Sequence, residues 1–157
     1  GNELLVSQRM RYGPTEIDLT ISAPAWMALS LQGVETEIVV SGTAAPVRAQ
    51  SVEGNVTVNG GTDNVSLSSV DGDIRFNGAI APNGNYAFKT HDGNISIRPV
   101  GALNATVTVS TWSGEFESAT PVTISGSQEG KRFSFTVGTG SARLELEAFD
   151  GLIRLEK

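Results

Sequence analysis

Apolar and polar positions alternate with period two along most of this chain, and the alternation breaks and resumes at regularly placed glycines. In V-S-L-S-S-V-D-G-D-I-R-F (Val65 to Phe76), Val65, Leu67 and Ser69 share one face. Ile74 and Phe76 return to that face after a change of parity across V-D-G-D. A period of two marks a half-buried strand, and a glycine at the break supplies a backbone conformation that other residues adopt only with strain. The stretch therefore predicts a strand, a sharp corner and a second strand facing the same core.

Close variants recur on both sides: V-R-A-Q-S-V-E-G-N-V-T-V (Val47 to Val58), Y-A-F-K-T-H-D-G-N-I-S-I (Tyr86 to Ile97) and V-T-V-S-T-W-S-G-E-F-E-S (Val107 to Ser118). Each carries a hydroxyl residue three places before the glycine: Ser51, Ser69, Thr90 and Thr111. An earlier copy, Leu29, Leu31, Gly33, Ile38 and Val40, has Thr36 where the others have glycine. The corner glycines 54, 72, 93 and 114 are spaced by 18, 21 and 21 residues. Two further copies, Phe133 to Leu144 with Gly140 and Leu144 to Leu155 with Gly151, close the series at irregular intervals, as terminal repeats often do.

Asp-Gly between alternating runs also signals a two-residue hairpin, so an antiparallel sandwich competes with a stack of coils. A meander has no reason to keep like residues in one slot every 20 residues or so, whereas a solenoid does, because each slot stacks on its counterpart one rung away. The expectation is an all-β, single-domain parallel β-helix with about 18–21 residues per rung, right-handed by the usual preference of parallel connections. Residues 1–28 are read as N-terminal strands and a cap, and 29–157 as one cooperative set of repeats. In the first part, Leu4 to Tyr12 reads as a strand ended by Gly13 and Pro14, and Ile17 to Ala23 as a half-buried strand ended by Pro24. Trp26 and Met27 are expected to plug the end of the core.

Composition narrows the function more than the fold. The 157 residues carry a formal charge of −6 and no cysteine, with a pI near 4.7. No basic stripe is present to displace counterions from phosphates, which argues against nucleic acid and against an anionic membrane surface. Disulfides, thiol nucleophiles and cysteine-ligated metals are excluded. No apolar run reaches the roughly 20 residues of a transmembrane helix, and Gly1 to Ser7 lack the features of a signal peptide.

The corner sequences S-V-E-G-N-V, S-V-D-G-D-I, T-H-D-G-N-I, T-W-S-G-E-F and A-F-D-G-L-I, with the lead-in I-D-L-T-I-S-A-P, resemble a widespread bacterial family of β-strand-repeat domains of unknown function, commonly labelled adhesins. The resemblance runs from about Ile17 to the end. It implies a parallel β-helix carried on secreted or membrane-anchored envelope proteins, hence an extracytoplasmic location, and it brings no catalytic residues with it.

Candidate chemistry gathers at the corners. Glu53, Asp71 and Asp92 precede the glycine and Asp73 follows one, so carboxylates stack, and oxygen-rich Ca²⁺ coordination would relieve their repulsion. The plainer explanation is that Asp and Asn are good turn residues at a solvated edge, and no Ca²⁺ loop spacing occurs. Between hydroxyl and acid runs a second file, Val52, Val70, His91, Trp112 and, in the last unit, Phe149. His91 and Trp112 are expected to be neighbours on consecutive rungs, forming a platform for a glycan or an envelope protein, or else an ordinary packed edge. His91 is the only histidine, a poor start for zinc.

Three functional classes remain in play. The first is a non-enzymatic envelope or surface module with adhesin-like binding, monomeric, with neither a catalytic residue nor a required cofactor. The second is a self-assembling scaffold of the bactofilin kind, opposed by the Trp26 cap and the charged terminus Arg154, Glu156 and Lys157. The third is a carbohydrate-active enzyme using Asp71 and Asp92 as a carboxylate pair.

Overall fold

The computed structural model describes residues 3–7, 24–60, 62–123 and 132–157. The strand expected over Ile17 to Ala23 lies outside them, as does the later part of Leu4 to Tyr12. The described strands are β1 (Glu3–Ser7), β2 (Ala28–Glu35), β3 (Ile38–Thr43), β4 (Val47–Glu53), β5 (Val56–Gly60), β6 (Thr62–Asp71), β7 (Ile74–Gly78), β8 (Ile80–Asp92), β9 (Ile95–Pro99), β10 (Ala105–Thr111), β11 (Glu115–Ser118), β12 (Arg132–Val137), β13 (Ala142–Asp150) and β14 (Leu152–Leu155). No helix occurs among the described residues.

Strand, corner and strand form each unit, and successive units contribute to two sheets. One sheet runs β1-β2-β4-β6-β8-β13-β10-β12 and the other β11-β14-β9-β7-β5-β3. Among the described residues every pairing is parallel except β10 with β12. The antiparallel sandwich is therefore excluded: the glycines mark corners between sheets, not hairpins within one.

Inward columns follow from the alternation. Val47, Val65, Tyr86, Leu144 and Val107 stand in register across the first sheet. Ile38, Val56, Ile74, Ile95, Ile153 and Phe116 do so across the second. Nearly all are buried, with Phe76 packed on Tyr86 and Phe88 at ring distances of 5.8 and 5.6 Å. Each buried aliphatic or aromatic side chain contributes about 1.5–3 kcal/mol. One unit alone leaves both its edges and half its core uncovered, so the units stabilise one another.

The corners are built as the slots imply. A Cβ on Gly54 would strike the carbonyl oxygen of Thr36, one on Gly72 that of Gly54, one on Gly93 that of Gly72, one on Gly151 that of Gly93 and one on Gly114 that of Gly151. The hydroxyl slot secures the same carbonyls: Ser51 Oγ donates to Thr36 O at 3.1 Å, Ser69 Oγ to Gly54 O at 3.2 Å and Thr90 Oγ1 to Gly72 O at 3.1 Å.

Three expectations are corrected. The C-terminal unit β13–β14 does not end the stack; it lies between β8–β9 and β10–β11. Phe133 to Leu144 is not a repeat: β12 runs antiparallel to β10, and Gly140 sits in the turn after it rather than at a corner. Its φ of +69° is that of a tight turn, whereas the corner glycines 54, 72, 93 and 151 have φ of +138° to +158°. Trp26 is no plug, since it stands 62 % exposed.

Candidate functional site

The altered order of units reshapes the file of residues outside the corner. Registers on either side place Val34, Val52, Val70, His91, Phe149 and Trp112 one after another along the stack. His91 and Trp112 are not neighbours on consecutive rungs, as the sequence order implied; Phe149 stands between them. Its ring stacks on His91 at 4.7 Å and 12°, and on Trp112 at 6.0 Å and 1°. With strands about 4.8 Å apart, six such positions make an apolar ridge about 24 Å long.

These side chains point outward because the strand parity that buries Ser69, Thr90 and Thr111 turns the next residue to solvent. Trp112 is 72 % exposed and the side chain of His91 57 %. The backbone that carries Trp112 is tied at the corner: Thr111 Oγ1 accepts a hydrogen bond from Gly114 N at 2.9 Å, and Trp112 N and Ser113 N both donate to Phe149 O. One face of Trp112 stacks on Phe149, and among the described residues no further ring stacks on the other.

Beside the ridge runs a file of acids. Glu35, Glu53, Asp71, Asp92 and Asp150 are in register on successive strands. His91 Nδ1 lies 3.3 Å from Asp92 Oδ2, an ion pair when the imidazole is protonated. Asp73 belongs elsewhere. It stands after the glycine with Asn55 and Asn94, where each side-chain carbonyl oxygen accepts the backbone amide of the next unit: Asp73 N to Asn55 Oδ1, Asn94 N to Asp73 Oδ1 and Leu152 N to Asn94 Oδ1, all at 2.9 Å. This ladder gives Asp73 a structural task. Asp73 Oδ2 also lies 3.7 Å from the Arg75 guanidinium.

The sequence placed Glu53, Asp71 and Asp92 before the glycine, Asp73 after one, and His91 and Trp112 in a second file; the structure separates Asp73 from the other acids by giving it to the ladder of Asn55 and Asn94. Sequence reasoning left out Glu35 and Asp150, although V-E and F-D occupy the same slots as V-D and H-D. Among the described residues, no three or more histidine, aspartate or glutamate side chains are grouped to hold a metal ion; the acids form a single file. Nor is any helix there long and apolar enough to cross a membrane.

Two sheets, parallel but for the β10–β12 pair and joined by stacked glycine corners with slots that repeat from unit to unit, define an all-β repeat protein. Its family model is that of the Toastrack DUF4097 domain, matched over residues 15–156, and the chain belongs to that family, whose function is unknown. No curated protein matches the chain, and neither does any solved structure.

Proposed function

We propose that this chain is a non-enzymatic binding module, a right-handed β-solenoid displayed on the outer side of the bacterial envelope, and that it engages a glycan through the His91–Phe149–Trp112 ridge. The observation that carries this reading is the exposed pile of nearly parallel rings, His91, Phe149 and Trp112. A pyranose presents an apolar face of C–H groups that packs on an indole much as the next ring in the pile would. The neighbouring carboxylates of Asp92 and Asp150 accept hydrogen bonds from hydroxyl groups. Because the rings already stack on one another, less side-chain freedom is lost on binding than for isolated rings.

A glycan array probed with the purified chain tests this. The expected result is selective binding to one glycan class, reduced at least about tenfold by Trp112→Ala, a loss of 1.4 kcal/mol or more. Binding that Trp112→Ala leaves unchanged, or no binding across the array, removes the ridge from this role. Polysaccharide turnover abolished by Asp71→Asn or Asp92→Asn would replace the reading with an enzymatic one.

A further inference from the structure

The last unit of the chain occupies an interior position of the stack, and both its edges are engaged. Strand β13 pairs with β8 on one side and with β10 on the other, while β14 pairs with β9 and β11. Residues 142–155 therefore fill a slot whose walls are built by earlier parts of the chain. The two walls are connected to each other through the short segment 100–104 between β9 and β10.

The unit is attached by a strap of four residues, 138–141. Because β12 and β13 flank β10 on opposite sides, the strap passes over the start of β10 and spans two strand spacings, about 9.6 Å. It is tied down at two residues, for Thr106 Oγ1 donates to Gly140 O at 3.4 Å and Asn104 holds both sides of that point. Thr139 N donates to Asn104 Oδ1 at 3.1 Å, Ser141 Oγ to Asn104 O at 3.3 Å and Ala142 N to Asn104 O at 3.0 Å. Gly138 and Gly140, with φ of +62° and +69°, make the tight crossing possible.

We propose that this slot is an interaction site for a second copy of the chain, in which two molecules reciprocally exchange their C-terminal units. Every registered pair of β13 and β14 is retained in the exchanged form; only the path of the strap differs. Identical contacts with a changed connection are the condition under which domain exchange costs least. A strap that must arch over a neighbouring strand favours exchange further when it is shortened. In the exchanged pair, each aromatic ridge is completed by the partner's Phe149, so the pair presents two whole ridges and two-point attachment. The exchange itself does not depend on what the ridge binds.

The chain has no cysteine of its own, which makes a disulfide a clean reporter. Ala87 and Glu145 are directly opposed on β8 and β13 and both exposed, at a strand spacing that a disulfide spans. Ala87→Cys and Glu145→Cys chains of all 157 residues, one isotope-labelled, are unfolded, mixed, refolded together at high concentration and oxidised. The expected product is a disulfide-linked heterodimer, in an amount that rises with concentration and exceeds that from an Ala87→Cys and Arg98→Cys control mixture. Deleting Thr139 and Gly140 is expected to raise it at least tenfold. If the chain bearing both Ala87→Cys and Glu145→Cys closes its internal disulfide while the mixture gives no heterodimer above the control, the proposal is overturned. A strap-shortened chain that refolds as a monomer overturns it equally.

Discussion

The phenolic oxygen of Tyr86 accepts a hydrogen bond from the backbone amide of Ala81 at 2.8 Å. It thereby pins the excursion of residues 81–84 that shifts the register between β6 and β8. Tyr86 is only 1 % exposed. Burial raises its pKa above the ordinary 10.0; the Ala81 amide works in the opposite direction, and the charge of Asp63 adds to the rise.

A raised pKa in the folded state favours the protonated phenol there. The stabilisation is thus fully present below pH 10 and is lost as pH climbs through the folded-state value. Urea midpoints measured upward from pH 8 should hold level with respect to this group and fall above about pH 10. Tyr86→Phe should cost about 1 kcal/mol at neutral pH, from the lost hydrogen bond, and should flatten the alkaline decline. A decline of equal steepness in the phenylalanine variant would assign it to other groups.

Ala148 stands in the hydroxyl slot beside Thr90 and Thr111 but has no oxygen to offer. In three other units the slot residue donates to the corner carbonyl of the preceding unit, and here the corresponding carbonyl is that of Gly93. Ala148→Ser should restore the pattern and raise stability by about 0.5–1.5 kcal/mol, read as a higher urea midpoint at unchanged slope. A lowered midpoint would mean that the slot is too tight for the extra atom.

Asp73 serves the corner ladder as a hydrogen-bond acceptor, receiving both Asn94 N at 2.9 Å and Asn94 Nδ2 at 3.2 Å. Its ion pair with Arg75 is long and exposed and contributes little. Asp73→Ala should therefore lose about 1–2 kcal/mol, while Asp73→Asn, which keeps a carbonyl oxygen in place, should recover most of it. Equal loss in the two variants, seen in thermal melts, would show that charge rather than the acceptor matters.

The unit itself was legible in the chain because its constraints are local. Glycine appears where a side chain would meet the neighbouring unit's carbonyl. Serine or threonine appears where that carbonyl needs a donor, and the parity change across V-D-G-D follows from turning a corner. The order of units was not legible, for a physical reason. Repeating slots make every unit compatible with every other, so Ala148 stacks on Thr90 as readily as Thr111 would. What sets the order is the long path from Ser118 to Ala142 and the antiparallel strand Arg132–Val137, whose pairing carries no corner signature. Gly140 was mistaken for a corner because G-T-G after an apolar run looks like one in letters, though not in backbone conformation. The candidate ridge followed the same division: its members could be named from the slots, but the contact of Phe149 with both His91 and Trp112 required the spatial order.

The interior place of the final strands also bears on biosynthesis. In a chain made N-terminus first these layers do not appear in the order of the stack, because β13 and β14 follow β10 and β11 in sequence yet lie between them and β8 and β9. Until Leu155 has emerged, the facing edges of β8–β9 and β10–β11 either meet each other in a provisional stack or remain open to other chains. A product that stops before Ala142 lacks a layer from between two others rather than from an edge of the stack. The order of synthesis and the order of stacking diverge at this unit.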